Sequence, residues 1–278
     1  MTDPAPAPGE ATTERVRGIF SNIADRYDAF NMLASMGIDR TWRRRLVKAC
    51  RITPESRVLD LCAGTGDVSF AIADQAHPAE VVVTDFTPEM LSIAEKKAAE
   101  HPGPTALSFQ LADAQELPFE DGRFDAVVIE SVNAFVPDKV KAFGEYARVI
   151  RLGGYVAMNE GTWVKSSPPA ELLKFIERSM GADFHTAEAW KDYLIGAGLE
   201  VTTAKTYRIK ALRQRLDENA GLDLSDWMDR MRAIGSFIHS YATDPKLRQY
   251  AKTIMPSRAV IRDMFAYLGY GNYVARKP

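Results

Sequence analysis

Cysteine is almost absent: the chain has two in 278 residues, Cys50 and Cys62. Two thiols build no disulfide framework, and they fit a reducing, cytoplasmic setting. Histidine is nearly as scarce. His77, His101, His185 and His239 show no metal-ligand spacing, and no zinc pattern can be written with so few cysteines, so no structural metal is expected. No stretch reaches the roughly eighteen apolar residues of a membrane span, and the N-terminus lacks a basic, apolar signal sequence, so the expectation is a soluble protein that is not exported. Charge of one sign is also missing. With Lys and Arg totalling 35 against 37 Asp and Glu, the formal net charge is −2, which leaves no basic field for nucleic acid. The sharpest basic cluster, Arg43-Arg44-Arg45, reads as a solvated helix face. The length suits one large α/β domain, or one domain with an appendage.

The most informative stretch runs from Val58 to Asp67, Val-Leu-Asp-Leu-Cys-Ala-Gly-Thr-Gly-Asp. It reads as a buried strand that breaks into a glycine turn and opens a helix, a cradle for a nucleotide-like ligand. Gly64 and Gly66 let the backbone turn tightly and approach a ligand, while the following helix presents its free N–H groups. Asp60 lies four residues before the first glycine, and Asp85 ends the next apolar run nineteen residues after Gly66. An acid at that second strand end can accept hydrogen bonds from both ribose hydroxyls. The dinucleotide fingerprint needs a third glycine three residues on, and Ser69 stands there, so dinucleotide binding is disfavoured. An acid just before the turn instead suits the ammonium group of S-adenosylmethionine (SAM). Asp113, after a third strand-like run, stands where an adenine amino group could be read. Asp60, the glycine turn, Asp85 and Asp113 together resemble the class I SAM-dependent methyltransferases.

The wider pattern agrees. Residues 1–13 are rich in Pro, Ala and acid and predict a disordered tail. Apolar residues at helical spacing over 14–50, among them Val16, Ile19, Phe20 and Ile23, predict a helical N-terminal cap. Short β-rich runs follow at 57–61, 81–84, 107–111, 124–130 and 155–159, apolar enough to be buried on both sheet faces. Thr87-Pro88-Glu89 opens a helix between the second and third runs, with Met90, Leu91, Ala94 and Ala98 on its apolar face. Such alternation implies a doubly wound, mainly parallel α/β sheet of seven strands, with the ligand outside the carboxyl ends of the strands. Residues 51–210 are expected to form this Rossmann-like core.

Tyr27-Asp28-Ala29-Phe30-Asn31 with Ser35 and Trp42, and Arg148 to Gly154 with Glu160, are similar to the two signatures of the ubiquinone/menaquinone C-methyltransferases, the UbiE type. The resemblance runs from about Val16 to Glu160. It implies that Thr65, Asp85, Asp113 and Ala114 contact SAM, with Tyr27 closing over its methionine part. Where the family has a serine this chain has Glu130, and where it has an aliphatic residue in the second signature this chain has Asn159. After the fourth strand the family typically carries an Arg-Asn pair, and this chain has Ala134-Phe135, a lost guanidinium and a gained ring that favour an apolar ligand. Phe135 as plain core is the competing reading.

Glu188 to Leu194 predicts a helix, Leu199 to Ile209 a strand, and residues 267–275 the last strand. The intervening segment within 211–278 is read as a helical insertion, in which Leu224, Trp227, Met228, Met231, Ile234 and Ile238 form one apolar stripe. That stripe either lids the acceptor pocket or packs on the core. Its polar face begins acidic, which leaves room for peripheral membrane contact only. No nucleophile on the protein is needed for methyl transfer. C-methylation of a hydroquinone needs a base, and the candidates are Asp39, Glu130, Glu160 and His185. The sequence therefore predicts SAM-dependent methylation of a small, largely apolar acceptor, a demethylmenaquinol-like quinol by resemblance. O-, N- or S-methylation of another small molecule, and a non-catalytic SAM-binding partner, are the alternatives. The oligomeric state is not legible.

Overall fold

A computed structural model describes residues 46–100, 103–208 and 256–278, together with residues 17, 18, 21, 43, 235, 239, 242 and 243. The predicted tail, most of the predicted cap and the predicted insertion helix lie outside the described residues.

The chain alternates strand and helix from β1 (Arg57–Leu61) through α1 (Asp67–Ala76), β2 (Glu80–Asp85), α2 (Pro88–Glu100), β3 (Ala106–Leu111) and β4 (Phe124–Glu130). A single 3₁₀ turn, Asn133–Phe135, leads to α3 (Lys139–Val149), β5 (Ile150–Trp163), α4 (Ala170–Met180) and the two-residue β6 (His185–Thr186). Then come α5 (Ala187–Gly196), β7 (Glu200–Arg208), α6 (Arg258–Tyr267) and β8 (Leu268–Arg276). The sheet order is β3-β2-β1-β4-β5-β8-β7, with β6 beside the end of β5. β8 runs antiparallel to both its neighbours and every other pairing is parallel. The expected seven strands are present, and β6 is an eighth, too short to leave a periodic signal. The final strand joins the same sheet as the core although it comes from beyond residue 210.

Why these segments are strands follows from where they sit. β1, β2 and β4 are inner strands covered on both faces, so Val58, Leu59, Val81–Val83 and Val127–Ile129 are all buried. The run at 107–111 was expected to be buried likewise. It is instead the edge strand β3, whose residues alternate between partly buried and exposed because the sheet ends there. β5 extends well beyond the expected 155–159, because β8 pairs with it from Tyr155 to Trp163.

One face of the sheet packs Phe143, Tyr146, Trp190 and Tyr273 with Leu59, Leu61, Val127 and Met158. The other packs Leu46, Val47 and Cys50 of the N-terminal segment with Val58, Val83, Val128, Ala157 and Val274. A smaller cluster joins α4 to α6 through Leu172, Ile176 and Val260 around Trp163. The strand order reverses between β1 and β4, and in open α/β sheets the crevice at such a reversal, outside the strands' carboxyl ends, holds the ligand. No helix among the described residues is long and apolar enough to cross a membrane, and no group of three or more His, Cys, Asp or Glu among them is arranged to hold a metal.

Candidate active site

At the reversal point β1 leaves the sheet through a turn in which Cys62, Gly64 and Gly66 all take positive φ, 54°, 56° and 86°. A β-carbon on Gly66 would press on the Phe70 ring and on Ala94 at 3.0–3.1 Å, so the second glycine is set by packing as well as by backbone conformation. The Ala63 N–H donates to the Thr84 carbonyl at 2.7 Å, which draws the turn against β2.

That places the Asp85 carboxylate against the turn. Its Oδ2 accepts from the Gly64 N–H at 2.9 Å and its Oδ1 from the Thr87 N–H at 2.8 Å. Burial pushes its pKa up, and these backbone N–H groups oppose the shift. Asp113 lies nearby because the Ala112 N–H donates to the Asp85 carbonyl. Its Oδ1 accepts from the Gln115 N–H at 2.8 Å.

Gly64, Asp85, Asp113 and Ala114 line a cleft of about 690 Å³, partly open to solvent. Phe86, Met90, Val132, Phe135, Val136 and Pro137 give the same cleft an apolar lining. Phe135 lines the cleft and is not plain core, while Ala134 is buried in the 3₁₀ turn. A second cavity of about 360 Å³ shares Cys62 and Gly64 with the first and continues past the turn to Thr65, Asp60, Asp67, Glu130 and Arg43.

The charges of that second cavity were only partly legible. Arg43, expected on a solvated face, is 8% exposed. Its Nε donates to Glu130 at 2.8 Å and its Nη1 to Asp67 at 3.2 Å, and Lys97 holds the other Asp67 oxygen at 2.9 Å. A run of arginines in sequence carries no information about whether Arg43 turns inward. Asp60 is buried, and the Ser69 hydroxyl donates to its Oδ2 at 2.5 Å. Ser69, the residue that spoils the dinucleotide fingerprint, is therefore the anchor of Asp60. Burial raises Asp60 to about 7 against the pull of that bond, with Glu130 raising it further and Arg43 lowering it.

Two candidate bases stand elsewhere. Glu160 is fully buried and lines neither cavity: its Oε1 accepts from the N–H groups of Val132 and Asn133 and from Asn133 Nδ2, at 2.8–3.0 Å. Asn133 Oδ1 accepts in turn from the Tyr146 hydroxyl at 3.0 Å. Glu160 is thus a post under the turn that carries Phe135. His185, on β6, sits 3.0 Å from the Asp183 carboxylate with its ring edge-on to Trp190. It braces the same turn from behind, because the Asp183 N–H donates to the Ala134 carbonyl at 2.7 Å. Asp39 and Tyr27 lie outside the described residues. Of the expected cofactor residues, only Gly66 among the described ones lines neither cavity.

The residues suit an adenosyl group joined to an amino acid. Locked acids stand at the β2 and β3 ends, and the backbone turn joins that pocket to a charged one small enough for an amino-acid tail. Comparison with known proteins points the same way. The sequence matches the profile of the ubiE/COQ5 methyltransferase family over residues 9–173. It is 42% identical over 149 residues to a ubiquinone/menaquinone biosynthesis C-methyltransferase UbiE of Geobacter sp. strain M21, covering 53% of this chain and 63% of the relative. It is 46% identical over 142 residues to a demethylmenaquinone methyltransferase of Thermus thermophilus, covering 51% of this chain and 64% of that one. The match thus spans less than two thirds of either relative. Among solved structures, geranyl diphosphate C-methyltransferase from Streptomyces coelicolor, bound to S-adenosyl-L-homocysteine, superposes with a TM-score of 0.62 at 16% identity over 86% of this chain and 79% of that one. At that identity the likeness is one of fold.

Proposed function

The chain belongs to the ubiE/COQ5 methyltransferase family, and from that premise we propose that it transfers a methyl group from SAM to a ring carbon of a small quinol-type acceptor. The observation that carries this reading is the Asp85 carboxylate, held by the Gly64 and Thr87 N–H groups and facing an apolar-walled cleft. When bound, SAM supplies an electrophilic methyl group on a sulfonium. The protein's part is alignment and exclusion of water. Asp85 would receive the ribose hydroxyls, Asp113 and Ala114 would border the adenine, and Gly64, Thr65 and Asp60 would border the amino-acid tail. The wall of Phe86, Val132, Phe135 and Val136 excludes water from the acceptor's side. Glu130 lines the second cavity, where the Arg43 Nε donates to it at 2.8 Å, and is the group we assign to the phenolic proton. The acceptor's quinol character rests on the family and on the names of the relatives.

A second reading, O-, N- or S-methylation of another small acceptor, is favoured by Ala134-Phe135 in place of the family's usual Arg-Asn pair, with Phe135 in the cleft wall. Calorimetric titration with SAM and detection of S-adenosylhomocysteine release from a short-chain demethylmenaquinol test both. Binding with release supports C-methylation of a quinol, whereas binding without release moves the acceptor to another class. Absence of SAM binding sinks the methyltransferase reading. Asp85→Ala is expected to weaken SAM binding by about 1.5–3 kcal/mol, the cost of a lost charged hydrogen bond. Unchanged affinity in the folded variant would remove Asp85 from the cofactor site.

A further inference from the structure

Two buried side-chain amides are left without partners at facing positions of the sheet. Asn159 on β5 is 1% exposed and Asn272 on β8 is 7% exposed. They are cross-strand partners in the antiparallel register. Neither Asn159 Nδ2 nor Asn272 Oδ1 finds a hydrogen-bond partner among the described residues. Leaving such a group unpaired costs about 1–3 kcal/mol, and these two, an amide donor and an amide acceptor at paired positions, stand next to each other.

Strand side chains alternate faces, and Ala157 and Val274, two residues away, belong to the core on the N-terminal segment's side of the sheet. Asn159 and Asn272 therefore project to that side. Glu130 does too, two residues beyond Val128, and it is paired in register with Asn159. Asp60, two residues beyond Val58 on β1, is in register with Val128, two residues short of Glu130. The polar row itself is Glu130, Asn159 and Asn272, which leaves the second cavity at Glu130. Glu130 lines that cavity and is the group assigned above to the acceptor's phenolic proton, so the row leads away from that group. One open donor and one open acceptor, side by side, complement a single group that both donates and accepts.

We propose that Asn159 and Asn272 hold a neutral hydroxyl of the methyl acceptor beside Glu130, with Asn159 Nδ2–H donating to its oxygen and Asn272 Oδ1 accepting its proton. This rests on the methyl-transfer reading above and deepens it. The acceptor class it selects is a phenol or hydroquinone in its reduced form, since a quinone carbonyl has no proton for Asn272 and a methyl ether has none either.

The test is anaerobic calorimetry on the S-adenosylhomocysteine-saturated full chain, titrated with 1,4-dihydroxynaphthalene and with its dimethyl ether. The wild type is expected to prefer the diol by about tenfold, the equivalent of one hydrogen bond of roughly 1.4 kcal/mol. Asn159→Leu and, separately, Asn272→Leu should abolish the preference while leaving S-adenosylhomocysteine affinity within about twofold of wild type. Both variants should melt no lower than wild type, because an apolar side chain removes an unpaired buried amide. Either one, if folded, suffices for the test. Equal binding of the two ligands by the wild type, binding of neither, or a preference that survives in the variants would overturn the proposal. Diol preference without methyl transfer to demethylmenaquinol would support the hydroxyl site and remove only the quinol assignment.

Discussion

Glu160 shows how a single acid can look catalytic in sequence and be a support in the fold. Three donors from Val132 and Asn133 converge on its Oε1, while its Oε2 has no partner among the described residues. Burial raises its pKa to about 7, against the pull of those donors. Between about pH 4.5 and 7 the folded chain then keeps a proton that the unfolded chain has released, so this group's contribution to stability falls as pH rises through that window. Glu160→Gln removes the titration and puts an amide NH₂ at the position of Oε2. Its melting temperature should gain on wild type between about pH 5 and pH 8, by roughly 2–4 °C for each kcal/mol recovered. Thermal melts at the two pH values decide it: an offset that does not grow with pH would mean that Glu160 is not the titrating group.

The strands divide by how much of their identity was local. β1, β2 and β4 are continuous apolar runs because helices or chain cover both their faces, and the sequence shows this directly. β8 is different. Its stretch, Leu-Gly-Tyr-Gly-Asn-Tyr-Val-Ala-Arg, carries two glycines that a strand normally avoids, and both are there for close approach. A β-carbon on Gly269 would strike the Tyr207 carbonyl of β7, and one on Gly271 would strike the Tyr273 ring, which is pinned by its hydroxyl contact with Thr162 at 3.0 Å. Gly269→Ala is expected to destabilise the β7–β8 edge by about 1–3 kcal/mol through overpacking against backbone. Urea denaturation of the variant checks this, and a midpoint equal to wild type would show that the two strands part at no cost. Helix α6, immediately before β8, falls in the segment expected to be a helical insertion, but its own bounds and its packing on the α4 cluster were not legible.

Across the molecule, the Arg43–Glu130 pair joins residues 87 apart in sequence and ties the N-terminal segment to the end of β4. Both side chains are largely buried, at 10% and 14% exposure, so removing one partner strands the other. Arg43→Ala is expected to cost about 3 kcal/mol, and adding Glu130→Ser should return about 1–3 kcal/mol of that as coupling. Chemical denaturation of the two single variants and the double variant closes the cycle. Strict additivity would show that the pair does not hold the segment to the sheet.

The glycine turn, the acids at three strand ends and the alternation of strand and helix were present in the order of the residues, because each depends on neighbours only a few positions away. So were the signatures that place the chain in its family. That Arg43 is buried against Glu130, that Ser69 anchors Asp60, that Glu160 supports a turn while Phe135 faces the cleft, and that Glu130, Asn159 and Asn272 form one row were decided by the sheet. These depend on register between strands far apart in the chain, and in a sheet register alone determines which side chains share a face and meet.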